Sequence, residues 1–299
     1  MTTRIAVDWG TSSLRLWALD ESGAPSAERR SDQGMGRLTP DQFEDMFLAL
    51  ADGLLGDQTQ VLICGMAGAK GGWSEAGYRP VPADLTAPDA TRVPTRTLQM
   101  DVRILGGLSQ SEPADVMRGE ETQIAGFLAG EPDFDGTLCL PGTHTKWVQV
   151  SGGKVQGFRT VLTGELFAAL STHTVLRTSV TSGGALDQNA FLDAVQSAFD
   201  HPEDLTADLF ALRANGLLHG QSPEVAKSRL SGALIGQELA AMRPALAAQP
   251  VTIIGDDHLT ALYKSALKHV GTSAQTLSGS DLSLRGICAA FDPVFDTKG

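Results

Sequence analysis

A turn that combines an acidic residue, a glycine and three hydroxyl side chains follows the first apolar segment of the chain. It reads Asp8-Trp9-Gly10-Thr11-Ser12-Ser13. Glycine lets the backbone approach a ligand closely, and the N–H and hydroxyl groups after it are suited to phosphate oxygens. An acidic residue beside phosphates is favourable where it holds a cation such as Mg²⁺, which makes Asp8 a candidate metal ligand. The alternative is an ordinary hairpin turn in which Asp8 binds its own backbone.

A second turn of the same kind, with a cation added, occurs near the middle of the chain. Gly142-Thr143-His144-Thr145 is followed directly by Lys146. Two such turns that face each other across a cleft would bind a polyphosphate from both sides. Neither is a Walker phosphate-binding loop, because the sequence contains no GxxxxGK[ST] segment. Lys146 alone is equally well explained as a solvated strand residue.

Paired carboxylates occur in the segment Arg118-Gly119-Glu120-Glu121. The apolar pattern around them predicts a helix over residues 116–129, with the two glutamates near its front end. Either carboxylate would suit a general base that takes a proton from a substrate hydroxyl. Adjacent helical positions point about 100° apart, so at most one of them faces a substrate squarely. The simpler explanation is that acidic residues in a first turn stabilise the helix through its dipole.

A further glycine, in Ile253-Ile254-Gly255-Asp256, ends a predicted buried strand before a helix that starts at His258. Such a junction allows an adenosine to rest against the backbone, although the same connection is common in α/β proteins without a ligand. Other catalytic classes lack their motifs, because the sequence contains no HExxH, no CxxC and no GxSxG. We therefore predict neither a zinc site nor a serine hydrolase.

Composition indicates a globular protein of two ordinary domains. The chain has 299 residues, of which 42% are hydrophobic and 19% charged, and this length suffices for two cores. The formal net charge is −12, with Lys and Arg scattered along the chain, whereas nucleic-acid binding requires a basic surface. No segment approaches the roughly 18 apolar residues of a membrane span, and the N-terminus runs directly into a strand. No nucleic-acid or membrane partner is predicted, and the cytoplasm is the expected location.

The strands and turns that must position these residues follow the same order at two places along the chain. Each time an apolar strand, a Gly-Thr turn and a second strand follow one another, and the pattern breaks at about residues 130–136. We therefore predict two domains, residues 1–132 and 133–299. The predicted class is α/β, with mixed sheets flanked by helices and a central cleft where ligands bind. Residues 78–99, with their four prolines, are expected to be irregular, and residues 282–291 to form the last helix.

Several segments together resemble the 2-dehydro-3-deoxygalactonokinase family. In chain order these are IAVDWGTSSLR at residues 5–15, GMAGAKGGW at 65–73, DVMRGEETQ at 115–123, LPGTHTKWV at 140–148, LTGEL at 162–166 and HTVL at 173–176. The resemblance covers about residues 4–290, and RGEETQ and LPGTHTKWV are long enough to be specific. The chain departs from the family pattern at Lys70-Gly71, where an Arg-Gln pair is expected.

This resemblance implies the two-lobed actin-like ATPase (ribonuclease H-like) fold of the actin/hexokinase/Hsp70 superfamily. It also implies transfer of phosphate from ATP to the 6-hydroxyl of 2-dehydro-3-deoxy-D-galactonate in galactonate breakdown, with Mg²⁺ near Asp8. By the same resemblance the Gly10 turn is the first phosphate loop and the Gly142 turn, with Lys146, the second. Gly255 and Asp256 would form the adenosine loop.

The glutamate segment is also similar to one in exopolyphosphatases, and this similarity points to Glu121 as the catalytic base. Lys70, Trp73, Arg118 and Glu120 would then contact the sugar acid, with Arg118 or Lys70 on its carboxylate. Two alternatives remain open: a phosphohydrolase of the exopolyphosphatase type, which would activate water, and a non-catalytic nucleotide sensor. A homodimer is a further option.

Overall fold

The computed structural model describes residues 3–180, 185–248 and 250–296, and these group into two compact units. Of the described residues, the first unit comprises 3–135, 150–158 and 279–296, and the second comprises 136–149, most of 159–248, and 250–278. The first change of unit lies close to the predicted division after residue 132. The last described segment, however, groups with the first unit, whereas the predicted second domain ran to residue 299.

The first unit is built on a six-stranded mixed sheet. Its elements are β1 (Thr3–Trp9), β2 (Leu14–Leu19), β3 (Pro25–Ser31), α1 (Phe43–Leu50), β4 (Thr59–Gly65), β5 (Tyr78–Pro80), β6 (Ala90–Val93), β7 (Met100–Leu105), β8 (Gly107–Ser111), β9 (Ala114–Met117) and α2 (Glu120–Leu128). The strand order is β3-β2-β1-β4-β7-β6, and a smaller sheet has the order β5-β8-β9. Strand β1 pairs antiparallel with β2 and parallel with β4, so the ends of β1 and β4 lie side by side.

The second unit contains most of the helices described and most of a five-stranded sheet, apart from residues 150–158. The remaining elements of the chain are β10 (Gly136–Leu140), β11 (Thr145–Ser151), β12 (Lys154–Val161), α3 (Thr163–His173), α4 (Gln188–Asp200), α5 (Leu205–His219), α6 (Pro223–Ala241), α7 (Arg243–Ala248), β13 (Val251–Gly255), α8 (Asp257–His269), β14 (Ala274–Ser278) and α9 (Gly279–Phe295). The sheet has the order β12-β11-β10-β13-β14, and β13 pairs parallel with both β10 and β14. Helix α9 belongs to the first unit.

Alternating residues of β1 enter two different cores, because successive side chains of a strand point to opposite faces. Val7 and Trp9 pack with Phe47 of α1 on one face of the sheet. Ala6 packs with Phe291 of α9 on the other face. Burial on both faces explains why the strand reads as a continuous apolar run, and it fixes the direction in which Asp8 points.

The predicted α/β class, with mixed sheets flanked by helices, is confirmed, but several boundaries differ from the predicted ones. The helix predicted over residues 116–129 begins only at Glu120, after strand β9. Gly119 has a φ of 105°, a conformation that a helix cannot contain and that favours glycine. The supposedly irregular residues 78–99 include β5 and β6, and the last helix is longer than predicted. In the described part of the chain, no helix is long and apolar enough to cross a membrane.

Candidate active site

The turn after β1 is a tight hairpin with outward-facing hydroxyls. The Gly10 N–H donates to the Ser13 carbonyl oxygen at 2.8 Å. Thr11, Ser12 and Ser13 are all exposed. The turn therefore presents backbone and hydroxyl groups to a ligand, as the sequence led us to expect.

Residues 33–36 form a support beneath this turn that the sequence did not reveal. The Met35 and Gly36 N–H groups donate to the carbonyl oxygens of Gly10 and Thr11, at 3.0 and 2.9 Å. A Cβ atom at Gly34 would lie within 2.5 Å of the Ser12 backbone. The absence of a side chain at position 34 therefore allows the two backbones to touch, and the contact sets the position of the first loop.

Asp8 lies half-buried at the end of β1, next to the end of β4. Burial raises the pKa of this carboxyl group, while Ser283, Arg15 and Cys64 act in the opposite direction. Within the described residues Asp8 forms no salt bridge. A desolvated carboxylate that forms no salt bridge suits a divalent metal ion, which would favour its charged form.

Glu121, the second candidate carboxyl group of the site, is buried. Its two carboxyl oxygens accept hydrogen bonds from the Gly119 N–H at 2.7 Å and the Thr122 hydroxyl at 3.2 Å. Burial and the neighbouring Glu120 raise the pKa of Glu121 to about 8. Burial, followed by the charges of Asp8 and Glu121, also raises the pKa of the Cys64 thiol. Asp8 and Glu121 therefore lie near enough to Cys64 for both of their charges to act on its thiol.

Glu120 has a different environment from its neighbour. It is half-buried, and its carboxylate accepts a hydrogen bond from the Arg118 N–H at 3.1 Å. The pair thus separates into one buried and one partly solvated carboxyl group. This separation is what a site needs if one of them is to be a base with a raised pKa.

The residues predicted to contact the sugar acid include one exposed cation and one buried cation. Lys70 is exposed and Trp73 is half-buried against the aromatic side chains of the first core. Arg118 is buried, donates to the Ala76 carbonyl oxygen at 2.6 Å, and stacks its guanidinium 4.3 Å from the Tyr78 ring centroid. Arg118 is therefore bonded to the protein's own backbone just after the loop.

The second loop, after β10, also exposes polar side chains. Thr143 and His144 are exposed, and the His144 Nε2 atom lies 2.6 Å from a carboxylate oxygen of Glu165. The Glu165 N–H donates to the Thr143 carbonyl oxygen at 2.9 Å. Lys146 is buried and donates to the Thr160 hydroxyl at 2.8 Å, so its interpretation as a solvated strand residue is wrong.

The end of β13 lies beside the second loop. A Cβ atom at Gly255 would lie 3.4 Å from the Pro141 carbonyl oxygen. Asp256 caps α8 by accepting a hydrogen bond from the His258 N–H at 2.9 Å. Gly255 is thus close to the Gly142 turn, as expected of an adenosine loop, whereas Asp256 has an ordinary capping role in the ligand-free protein.

A cavity of about 740 Å³ opens beside the second loop, within the second unit. Thr143 and the N-terminal part of α8 border it, as do Arg177 and Lys227. The apolar side chains of Phe167 and Leu234 form part of its wall. Its size falls in the range of small-molecule sites. No sequence motif marks Arg177 or Lys227, because separate elements bring them to the cavity.

Proteins of known name match nearly the whole chain. The family model described as 2-keto-3-deoxy-galactonokinase matches residues 8–290. A protein of Rhizobium meliloti (strain 1021) named for 2-dehydro-3-deoxygalactonokinase activity is 41% identical over 297 residues, with 95% of each chain covered. The 2-dehydro-3-deoxygalactonokinase of Escherichia coli (strain K12) is 33% identical over 294 residues, with 96% of this chain and 97% of that protein covered.

Solved structures give the same result. A crystal structure from Sinorhizobium meliloti, named for the same activity, has a TM-score of 0.91 at 39% identity and covers 99% of this chain and 98% of its own. The ADPNP-bound activator of a Clostridium difficile 2-hydroxyisocaproyl-CoA dehydratase has a TM-score of 0.51 at 9% identity, covers 97% and 94%, and bears on the fold alone. The predicted actin-like class is confirmed. The chain belongs to the 2-keto-3-deoxy-galactonokinase family.

Proposed function

We propose that this protein transfers the γ-phosphoryl group of ATP to the 6-hydroxyl of 2-dehydro-3-deoxy-D-galactonate. The observation that carries the proposal is Glu121, a buried carboxyl group with a pKa of about 8, whose charge acts on the same Cys64 thiol as that of the half-buried Asp8. A general base works best with a pKa near the working pH. The acceptor is supported by the names of the relatives, which cover nearly the whole chain.

The nucleotide would bind to the second unit. Its cavity of about 740 Å³ combines an apolar wall with Arg177, Lys227 and His258, which suits a base at one end and anionic groups at the other. Thr143 borders the cavity and is exposed in the second loop, so the phosphates would continue from the cavity to this loop. Gly255 would let the adenosine lie against the end of β13.

The first unit would supply the reaction's acidic groups. Gly10, Thr11, Ser12 and Ser13 offer N–H and hydroxyl donors to the phosphates. Asp8 would hold Mg²⁺, and its half-buried, raised-pKa carboxyl group fits a cation. When bound, the metal ion would supply charge neutralisation at the phosphates.

Glu121 would take the proton of the 6-hydroxyl as that oxygen attacks the γ-phosphorus. The new O–P bond forms while the bond to the leaving oxygen of ADP breaks, and the proton passes to a Glu121 carboxyl oxygen. Glu121 must be deprotonated beforehand, so the rate should rise with pH up to about 8. Lys70, Trp73 and Glu120 would contact the sugar acid, and Arg118 would hold the backbone after the loop in place.

A product assay with ATP, Mg²⁺ and 2-dehydro-3-deoxy-D-galactonate tests the function. A kinase forms ADP and the 6-phosphate in equal amounts. Release of free phosphate without a phosphosugar would indicate the phosphohydrolase instead, and nucleotide binding without turnover the sensor. Glu121→Gln is the matched control, since it should retain ATP binding while product formation falls.

We also propose a cellular location and an oligomeric state for the protein. Cys64, Cys139 and Cys288 are all free thiols, which is typical of a reducing compartment and supports the cytoplasm. We keep the homodimer as a proposal that a sedimentation measurement would test.

A further inference from the structure

A buried carboxylate lies beneath the second loop, and it has no role in the phosphoryl transfer proposed for this protein. Glu238 of α6 is 2% exposed. Its oxygens accept hydrogen bonds from the Trp147 indole N–H at 2.7 Å, the Tyr263 hydroxyl at 2.8 Å and the Thr163 hydroxyl. Burying a carboxylate is costly unless its hydrogen bonds are made. Three donors from three different elements satisfy this requirement here.

The protons in this cluster have one consistent arrangement when Glu238 is ionised. Trp147 is a donor only, and Tyr263 has a single proton, which it gives to Glu238. In the 2.9 Å hydrogen bond between Tyr263 and Thr145, the Thr145 hydroxyl must then be the donor. The chain of donors therefore runs from Thr145 through Tyr263 to Glu238, and a fully satisfied buried network of this kind is rigid.

The cluster is connected to the second loop on two sides. Thr145 directly follows the loop as the first residue of β11, and Thr163 begins α3. The next residue of α3, Gly164, packs so closely that a Cβ atom there would lie 2.9 Å from the Thr143 Cα atom. Thr163 and Tyr263 also border the cavity of the second unit. A shift of Glu238 would thus move both the loop and a wall of the cavity.

We propose that Glu238 is a positioning residue for nucleotide binding, which holds the second loop in the shape that receives the phosphates. The inference rests on the proposed function. Glu238 has no proposed contact with substrate and acts through its donors Trp147, Thr163 and Tyr263, and through Thr145 beyond Tyr263. Substitution of Glu238 should therefore weaken the binding of ATP and leave the KM for the sugar acid unchanged.

The test uses two variants and one control in the full-length protein. Glu238→Gln places an amide donor against hydroxyl and indole donors, while Tyr263→Phe removes only the hydroxyl between Thr145 and Glu238. Glu44→Gln is the matched control, since Glu44 is a buried carboxylate of α1 that accepts from the Arg96 N–H at 2.8 Å. The measurements are the Kd of Mg–ATP by calorimetry, the KM for ATP, the KM for the sugar acid, and Tm.

We expect Glu238→Gln and Tyr263→Phe to raise the Kd and KM of ATP about tenfold, as loss of a buried hydrogen bond does. The KM for the sugar acid should stay within about twofold, and Glu44→Gln should lower Tm without changing either KM. Unchanged ATP affinity in both variants, or an equal rise in both KM values, would overturn the role of Glu238. If Glu238→Gln does not fold, Tyr263→Phe alone decides. A wild-type protein that bound no Mg–ATP would refute the proposed function and this inference with it.

Discussion

Glu121 is expected to lower the stability of the protein as the pH rises, and Glu121→Gln should remove this effect. The pKa of Glu121 is raised from its ordinary 4.5 to about 8, first by burial and then by Glu120. The folded protein therefore holds this proton to a higher pH than the unfolded chain does. Its stabilising contribution is complete below about pH 4.5 and is lost as the pH rises to about 8. A pKa shift of this size corresponds to a loss on the order of 5 kcal/mol in the free energy of unfolding.

Urea unfolding of the metal-free and nucleotide-free protein at pH 5 and pH 8.5 measures the effect. The free energy of unfolding of Glu121→Gln minus that of wild type should be several kcal/mol larger at pH 8.5 than at pH 5. The same substitution should lower kcat about 10²–10⁴-fold, the usual cost of losing a general base. Glu120→Gln is the control, and it should change stability and kcat much less because Glu120 is half-buried.

Two results would refute this reasoning. If the stability of Glu121→Gln and of wild type changed in parallel with pH, Glu121 would not be the group that titrates near pH 8. If Glu120→Gln lost the rate while Glu121→Gln kept it, Glu120 would be the base.

Two further predictions concern the first loop. Asp8→Asn should retain the fold, because the pKa of Asp8 is raised by burial, but should lose turnover; an unchanged kcat in a folded variant would exclude Asp8 from the mechanism. Gly34→Ala should push the Ser12 backbone aside and lower kcat/KM for ATP by about 10²-fold, the effect of a displacement of about 1 Å. Gly36→Ala is its control, because a Cβ atom there would lie at a more tolerable 3.2 Å from the Thr11 carbonyl oxygen; equal rates in steady-state assays of both variants would contradict the role of Gly34.

The elements that the sequence predicted well are those whose local pattern and tertiary environment agree. Strands β1, β4, β10 and β13 are nearly continuous apolar runs because they are buried on both faces. Strand β3 could not be recognised, because PSAERRS is the polar edge of its sheet. The true start of α2 depended on the backbone of Gly119, whose conformation a composition pattern does not show.

The residues of the candidate site likewise include some that have a local signal in the sequence and some that have none. Gly10 and Gly142 were found because a glycine next to hydroxyl residues is a local signal. The sequence does not point to Gly34 or Glu238, because the roles proposed for them arise from contacts with residues distant in the chain. The similarity to exopolyphosphatases favours Glu121 over Glu120, but their difference in burial depends on the packing of α2 and not on the order of the two residues.

The return of α9 to the first unit has a consequence for how the protein is made. Residues of α9 complete the core beneath β1 and β4, and a Cβ atom at Gly286 would lie 3.1 Å from the Gly126 backbone nitrogen of α2. During synthesis the chain emerges from its N-terminal end. A nascent chain that stops at residue 278 therefore contains both Asp8 and Glu121 but lacks the helix that buries their surroundings. Activity should appear on the ribosome only after α9, which follows the whole second unit in the chain, has also been made.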